Sequence, residues 1–256
     1  MKLMLSQVAV GAAAVALAAF STTAVTASAD DAAQLYVVQG LPAVSADISI
    51  DGAVVASGVA AAKVIGPLSV KPGNHTVTIS GKGTQLASAT AEVSAGDSMD
   101  LVVHLPTDPR GAAVVTAYDN DISSVPRGKA RLAVAHTAAV GPADIRVDGK
   151  VLFANVANGE ELSLVVPAAT YAVQIVPAGR TTPSVLGPLD LSVTAGGLNR
   201  VYAIGDPSTT TMTVAAHVIT TAESGSASPG RVDSGVSGAA AVSTRSALQS
   251  AAFFTG

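Results

Sequence analysis

The chain has 256 residues, of which 49% are apolar and only 3% aromatic, and its formal net charge at pH 7 is −4. A mildly acidic surface offers no counterion-release drive toward nucleic acid or anionic lipid, so both are excluded as partners. There is no cysteine, so disulfides cannot hold the folded chain together and no lipid can be attached through a thiol.

The N-terminus has the layout of a secretory signal peptide. Lys2 supplies the charge, residues 8–20 form a 13-residue apolar centre, and Ala27-Ser28-Ala29 is an A-x-A cleavage site. The alternative, a membrane anchor, would need about 20 apolar residues to cross roughly 30 Å of hydrocarbon. We therefore expect cleavage after residue 29, no membrane span in the mature chain, and a secreted or extracellular location. The C-terminal segment has no sortase-type motif, so the protein is either released or held non-covalently at the cell envelope.

One seven-residue stretch occurs twice. Residues 46–52 read Ala-Asp-Ile-Ser-Ile-Asp-Gly and residues 143–149 read Ala-Asp-Ile-Arg-Val-Asp-Gly, 97 positions further on. In both copies apolar and polar residues alternate, which is typical of a half-buried strand, and Asp-Gly favours a two-residue hairpin turn. The duplication predicts two tandem modules.

The predicted organisation has five parts. A signal peptide (residues 1–29) is followed by a first module (30–119), a linker (120–129), a second module (130–220) and a flexible tail rich in Ala, Ser and Gly (221–256). Each module holds seven or eight short strands with turn signals every 8–12 residues, which is typical of an all-β fold. We predict two tandem antiparallel β-sandwiches of immunoglobulin-like type. A barrel is the competing arrangement, and strand count does not separate the two.

The second copy resembles a family of exported bacterial domains of unknown function. Its residues Val134-Ala135-His136-Thr137, then 142–149, and later Pro167-Ala168-Ala169-Thr170-Tyr171 are similar to a family pattern Val-Val-His-Ala-Ser-Pro-Asp-Ala-Pro-x-Val-Asp-Val-Tyr-Val-Asp-Gly with a later Pro-Ala-Gly-Thr-Tyr turn. The resemblance covers residues 33–118 and 130–219. It implies a small secreted β-sandwich, often in tandem, and implies no activity. Gln39 stands where the second copy has His136.

The chain has four histidines, each a candidate catalytic base. His75 aligns with Tyr171 and His104 with Ile204, residues that cannot act as bases at neutral pH, so both histidines are interpreted as structural. For His136 and its counterpart Gln39 we expect a loop-fixing hydrogen bond, because both side chains can donate and accept. No Gly-x-Ser-x-Gly elbow is present. The sequence predicts no catalytic residue and no enzyme; the alternative is an extracellular enzyme using His136 and Asp144.

The aspartates of the repeated stretch are interpreted as structural. Asp47 and Asp51, like Asp144 and Asp148, lie four residues apart on one strand, so they would be roughly 13 Å apart, too far to share an ion. The first of each pair is expected to pin a loop and the second to initiate a turn.

Metal binding and sugar binding each have candidate residues in the sequence. Residues 119–121, Asp-Asn-Asp, offer oxygen ligands of the kind that Ca²⁺ prefers, but they are also ordinary turn residues. We predict no metal site and no cofactor. Glycan recognition depends on exposed aromatic rings, and the modules contain few: Tyr36, Tyr118, Phe153, Tyr171 and Tyr202.

The functional prediction is a secreted or envelope-associated, non-enzymatic binding or structural protein. Its partner would be an extracellular or envelope protein or polymer. The alternative is an extracellular enzyme, or a glycan-binding protein, acting on an envelope polymer.

Overall fold

The computed structural model describes residues 32–221 and 223–224. The predicted signal peptide and the part of the predicted tail after residue 224 lie outside the described residues. In the described part, strands dominate, accompanied by one short 3-10 turn at Pro207–Thr209. Within these residues no helix is long and apolar enough to cross a membrane. The predicted all-β sandwich fold is confirmed.

The first module contains eight strands in two separate four-stranded sheets. The inner sheet has the order β4-β1-β7-β8 and the outer sheet the order β3-β2-β5-β6. All neighbours are antiparallel except β1 and β7, which are parallel. The strands are β1 Ala33–Gln39, β2 Ala46–Ile50, β3 Ala53–Val59, β4 Lys63–Val70, β5 Gly73–Gly81, β6 Thr84–Val93, β7 Ser98–His104 and β8 Val114–Asp119.

The second module repeats this topology strand for strand. Its inner sheet has the order β13-β10-β16-β17, with β10 and β16 parallel, and its outer sheet the order β12-β11-β14-β15. A two-residue strand in the linker, β9, pairs in parallel with β18, which falls in the segment predicted as tail. The strands are β9 Val125–Pro126, β10 Lys129–Ala138, β11 Ala143–Val147, β12 Lys150–Val156, β13 Glu161–Pro167, β14 Thr170–Pro177, β15 Leu186–Ser192, β16 Gly197–Gly205, β17 Thr213–Thr220 and β18 Glu223–Ser224.

The strand order distinguishes this sandwich from the seven-strand immunoglobulin arrangement. There the two sheets are ABED and CFG, whereas here the first strand of each module lies between the fourth and the seventh. The two copies of the repeated stretch occupy equivalent strands, β2 and β11, each paired with the strand after it and with the fifth strand of its module.

The repeated Asp-Gly pairs form hairpin turns. Asp51 and Gly52 have φ angles of 51° and 82°, and Asp148 and Gly149 have φ angles of 50° and 77°. Positive φ at both central residues is the condition for a type I′ turn, whose twist matches that of the flanking strands. The expected turn-initiating role of the second aspartate is confirmed in both modules.

Each module has its own core of small and β-branched side chains. In the first, alternation along the strands turns residues such as Leu35, Ile48 and Leu101 inward. In the second, Leu132, Ile145 and their neighbours are packed in the same way. The composition predicted cores of this kind, because an aromatic-poor chain must bury many aliphatic side chains instead.

The two inner sheets also pack against each other. A third apolar cluster is drawn from both modules, with Val38, Val102 and Tyr118 on one side and Ala135, Tyr202, Ile204 and Ala215 on the other. Because of this second contact, β16 is buried along its whole length and β7 along all but one residue. The modules are therefore joined by a sheet-to-sheet interface as well as by the linker.

Candidate functional site at the module interface

A buried carboxylate lies at the centre of the module interface. Asp100, on β7, is completely buried and accepts three hydrogen bonds. Asn120 Nδ2 donates to its Oδ1 at 2.7 Å, and Tyr202 Oη donates to its Oδ2 at 2.5 Å. Nε2 of His217 lies 2.5 Å from the same Oδ2. Two of these three groups belong to the second module, so the carboxylate joins the two sheets directly.

A buried guanidinium lies near this carboxylate. Arg200, on β16, is 1% exposed and forms an ion pair with Glu161 of its own module. Its Nε donates to Asn120 Oδ1 at 2.6 Å, and its Nη2 donates to the backbone carbonyl of Asp119. Since Asn120 also donates to Asp100, one amide side chain connects the two buried charges. This sharing satisfies groups that would otherwise be costly to bury.

Three tyrosines and a histidine surround the charged groups. Tyr118 packs against Tyr202 with ring centroids 5.7 Å apart, and the Arg200 guanidinium lies 5.8 Å from the centroid of the Tyr118 ring. Tyr36 packs against His217 at 4.8 Å. Burial raises the pKa of Tyr118 to about 12; burial, reinforced by Asp100, raises the pKa of Tyr202 well above its ordinary value. Both hydroxyls therefore remain hydrogen-bond donors at neutral pH.

Two further histidines, His104 and His136, are buried. His104 bonds through Nδ1 to the Leu105 carbonyl at 2.8 Å and through Nε2 to Thr116 Oγ1 at 2.9 Å. Burial is the largest cause that lowers the pKa of His104, and His136 lowers it further. Burial likewise lowers the pKa of His136, against the raising effect of nearby carbonyls and Glu160. Both shifts favour the neutral form of the ring.

This burial predicts a loss of stability in mild acid. A histidine with a lowered folded-state pKa is protonated first in the unfolded chain, so stability is full above about pH 6.5 and falls as the pH drops below that value. His75 opposes the trend, because the Lys71 carbonyl and Asp51 raise its pKa, and its contribution is lost as the pH rises. We expect the midpoint of denaturation to be lower at pH 5 than at pH 7.5, and this difference to be smaller in the His136→Gln variant. An equal fall in both proteins would contradict this assignment.

The structure confirms the loop-fixing role expected for His136 and Gln39. The Gln39 side chain donates to the Val44 carbonyl at 3.1 Å and accepts from the Leu41 amide at 2.9 Å. His136 makes the equivalent pair, with Nε2 3.2 Å from the Gly141 carbonyl oxygen and Nδ1 accepting from the Ala138 amide at 3.4 Å. Each side chain therefore fixes the loop after the first strand of its module.

The first aspartate of each repeated stretch pins a loop, as expected. Asp47 Oδ1 accepts from the Gly58 amide at 2.9 Å. Asp144 does more, because its Oδ1 accepts from the Asn155 amide at 2.8 Å and its Oδ2 from the Gly179 amide at 2.9 Å. Gly179 lies in the hairpin loop between β14 and β15, so Asp144 ties that loop to strand β11.

This difference in bonding predicts a difference in stability. We expect Asp144→Ala to lower the free energy of unfolding by about 1–3 kcal/mol, because two amides lose a charged acceptor. Asp47→Ala, which removes one bond at a half-buried position, is the matched control and should cost about 1 kcal/mol or less. Urea unfolding of both variants measures the difference, and equal losses would contradict the two-loop role of Asp144.

The second aspartates and the residues across from them also have structural contacts. Asp51 accepts from the Thr76 amide and lies 2.7 Å from His75 Nδ1, and the hydrogen bond from His75 lowers the pKa of this carboxyl. His75 Nε2 is 2.7 Å from the Lys71 carbonyl oxygen. In the second module Tyr171 Oη donates to the equivalent Pro167 carbonyl, also at 2.7 Å. His75 and Tyr171, which were predicted to be equivalent, therefore make the same contact with the turn that precedes them.

The linker residues considered for calcium point to different partners. The Asn120 amide faces the interface, while the Asp121 carboxylate accepts from the Ser123 amide and pairs with Arg131 Nε at 3.0 Å. Among the residues that the structure describes, no group of three or more His, Asp or Glu side chains is placed to hold a metal ion.

Loops of both modules also enclose a groove of about 560 Å³. It lies beside the β1–β2 and β7–β8 loops of the first module and the β16–β17 loop of the second. Its walls are mostly apolar, with Leu41, Leu86 and Leu105 on one side and Asp206, Thr209 and Thr211 on the other. Asp206 is occupied by hydrogen bonds from the Ser208 amide and hydroxyl. The shape of this groove depends on the fixed arrangement of the modules.

Sequence reasoning did not identify the interface residues. From the sequence, no role is expected for Asp100, Glu161 and Arg200. Asn120 is there only a candidate calcium or turn residue and Tyr202 only one of the few aromatic rings, and His217 is a histidine without an expected role. A signal was present, because Asp100 and Arg200 carry opposite charges at equivalent positions of the seventh strands, which the β1–β7 and β10–β16 registers establish. A charged residue in the middle of a central strand indicates a buried partner.

The fold and interface define a class of protein: an all-β protein of two β-sandwiches packed sheet to sheet through a buried polar network. Comparison with known families adds that a DUF4397 domain, a domain of unknown function, is found at residues 33–145. This span covers the first module and the linker and ends within β11 of the second. No curated protein matches the chain.

Proposed function

We propose that this chain is an exported, non-enzymatic binding or structural protein that acts outside the cell or at its envelope, with both modules serving as one unit. The export part rests on the signal-peptide layout of residues 1–29. One observation carries the non-enzymatic part: within residues 32–221, the buried ionisable side chains are bonded to groups of the fold itself. A catalytic acid or base must instead reach a reacting atom within hydrogen-bond distance. We also propose that the second module belongs to the same family as the first, since its strand order is the same.

The burial and contacts of His136 and Asp144, the residues of the enzymatic alternative, also support a non-enzymatic role. His136 is 2% exposed and Asp144 is 6% exposed, and both are occupied by the loop contacts given above. Glycan recognition has no more support, because Tyr118 and Tyr202 lie in the interface, where they are 7% and 0% exposed. Neither ring can present a flat face to a sugar while the modules are packed together.

The non-enzymatic part is tested with His136→Gln. Glutamine is the residue of the first module at this position, so the loop contacts and the fold should be kept while any base is removed. We expect no turnover of envelope polysaccharide, peptide or ester substrates by either protein. Turnover by the native chain that His136→Gln abolishes without lowering the melting temperature would overturn the proposal.

The extracellular part is tested by mass spectrometry of the protein recovered from culture medium and from washed cell envelopes. We expect the mature chain to begin at Asp30 in one or both fractions. Crosslinking on intact cells then identifies the envelope component that it contacts. Recovery of the uncleaved chain from the cell interior alone would contradict the proposal.

A further inference from the structure

The strand registers show which interface residues are equivalent in the two modules. In the first module Asp100 on β7 lies opposite Tyr118 on β8. In the second, Arg200 on β16 lies opposite His217 on β17. Because β16 and β17 take the places of β7 and β8, Arg200 corresponds to Asp100 and His217 corresponds to Tyr118.

The contacts across the interface follow the same correspondence. Asp100 of the first module bonds to His217 of the second at 2.5 Å. Arg200 of the second module lies against the Tyr118 ring of the first, 5.8 Å from its centroid. Each central-strand residue therefore contacts the edge-strand residue of the opposite module. This reciprocity is the pattern of a two-fold interface between like subunits, here formed between two modules of one chain.

The charged residues on the inner sheets of the two modules differ, and this difference decides which pairs of modules are stable. A first module facing a second copy of itself would place each Asp100 against Tyr118, with neither His217 nor Arg200 nearby. A second module facing itself would place each Arg200 against His217. The first arrangement buries two carboxylates that keep the hydrogen bond from Asn120 but lose the one from His217. The second buries two guanidiniums that keep Glu161 but lose Asn120. Both bring like charges together at one interface with fewer partners than the observed pair has, which is unfavourable.

We propose that the inner sheets form a selective pairing surface, by which the first module binds only a second module, either its own or that of a second copy of this chain. The network of Asp100, Arg200, Tyr118 and His217 supplies the selectivity, and the apolar cluster supplies the contact area. Two copies that open at the linker can therefore exchange modules and form a reciprocal dimer or an open chain of molecules.

The experiment uses the whole chain, cut after folding. A protease site is inserted between Ile122 and Ser123, in the exposed part of the linker, and two cut preparations, one ¹⁵N-labelled, are mixed at micromolar concentration. Native mass spectrometry at neutral pH should show pairs of a first and a second module, including pairs of mixed label. Pairs of two first modules or of two second modules, or halves that separate fully, would overturn the proposal.

Substitution of the charged residue tests the source of selectivity. We expect Arg200→Asp to weaken the association of the cut halves by at least about 100-fold, because it buries a carboxylate beside Glu161 and near Asp100. Arg110→Asp is the control, since the Arg110 side chain is 89% exposed, and it should leave the association unchanged.

A milder variant serves if Arg200→Asp fails to fold. His217→Tyr introduces the residue of the first module and should weaken the association by about 10-fold, because Asp100 loses one charge-assisted hydrogen bond. Native affinity in a folded Arg200→Asp or His217→Tyr protein would show that these residues do not govern pairing.

Discussion

Replacing Arg200 with methionine should lower the free energy of unfolding by about 3–5 kcal/mol, which is the cost of removing one partner from a buried ion pair. The Glu161 carboxylate would lose its counter-charge, and Asn120 Oδ1 would lose its donor. Methionine keeps most of the apolar length of arginine, so the loss reports mainly on the charge. Denaturation by urea at pH 7 measures it.

The control for this prediction is another arginine paired with a carboxylate. Arg110 donates to Asp108 at 3.1 Å, but both side chains are exposed, and exposed pairs contribute little to stability. We expect Arg110→Met to change stability by no more than about 0.5 kcal/mol. A loss below about 1 kcal/mol for Arg200→Met would contradict the importance of the buried pair.

Replacing Asp100 with leucine should cost a similar amount, about 3–5 kcal/mol, for a different reason. Asn120, Tyr202 and His217 would lose their common acceptor while remaining buried or nearly so, and each unsatisfied buried donor costs about 1–3 kcal/mol. The melting temperature and the urea midpoint should fall together.

A position at which the two modules carry different residues offers the control for Asp100→Leu. Asp119, on the edge strand β8, is equivalent to Val218 on β17, as the two strand registers show. Asp119→Val should therefore be tolerated, with a change of no more than about 0.5 kcal/mol. If Asp100→Leu is tolerated equally well, the carboxylate is not a stabilising centre of the interface.

The two large effects should not be additive. Asn120 donates to Asp100 and accepts from Arg200, so either substitution already disturbs the same amide. Residues of one hydrogen-bond network commonly show interaction energies of about 0.5–3 kcal/mol. The double variant should therefore lose less stability than the sum of the single losses.

The sandwich fold and the loop contacts could be predicted because their causes are local. Alternation of apolar residues specifies the inward face of a strand, and Asp-Gly specifies the turn that follows. A comparison of the two copies of the sequence predicted the roles of Asp47, Asp144, Gln39 and His136. Gln39 and His136 can both donate and accept hydrogen bonds, but only His136 can act as a base. A position that either residue can fill therefore has a structural role.

The interface could not be predicted because its causes are distant in sequence. Asp100 and His217 are 117 residues apart, and no local pattern relates them. Alternation places Asp100 on the face of β7 opposite to Leu101, which looks like an ordinary solvent-facing position. Only the packing of one inner sheet on the other turns that face into a second buried surface, and this packing depends on the tertiary arrangement of both modules.

The burial of the tyrosines shows the same limit. Composition identified Tyr118 and Tyr202 as part of a thin supply of rings for a sugar-binding surface. The structure uses both in the interface, where Tyr202 donates to Asp100 and Tyr118 donates to the Gly159 carbonyl of the other module at 3.0 Å. Counting aromatic residues therefore overestimated what the surface can offer to a ligand.

Calorimetric unfolding of the mature chain at pH 7 tests most directly whether the two modules form one unit. With the buried network intact, both modules should unfold in a single transition whose calorimetric and van't Hoff enthalpies agree. The Arg200→Met variant should unfold at a lower temperature and in a broader or divided transition. Two well-separated transitions in the native chain would show that the modules fold independently and would contradict the account.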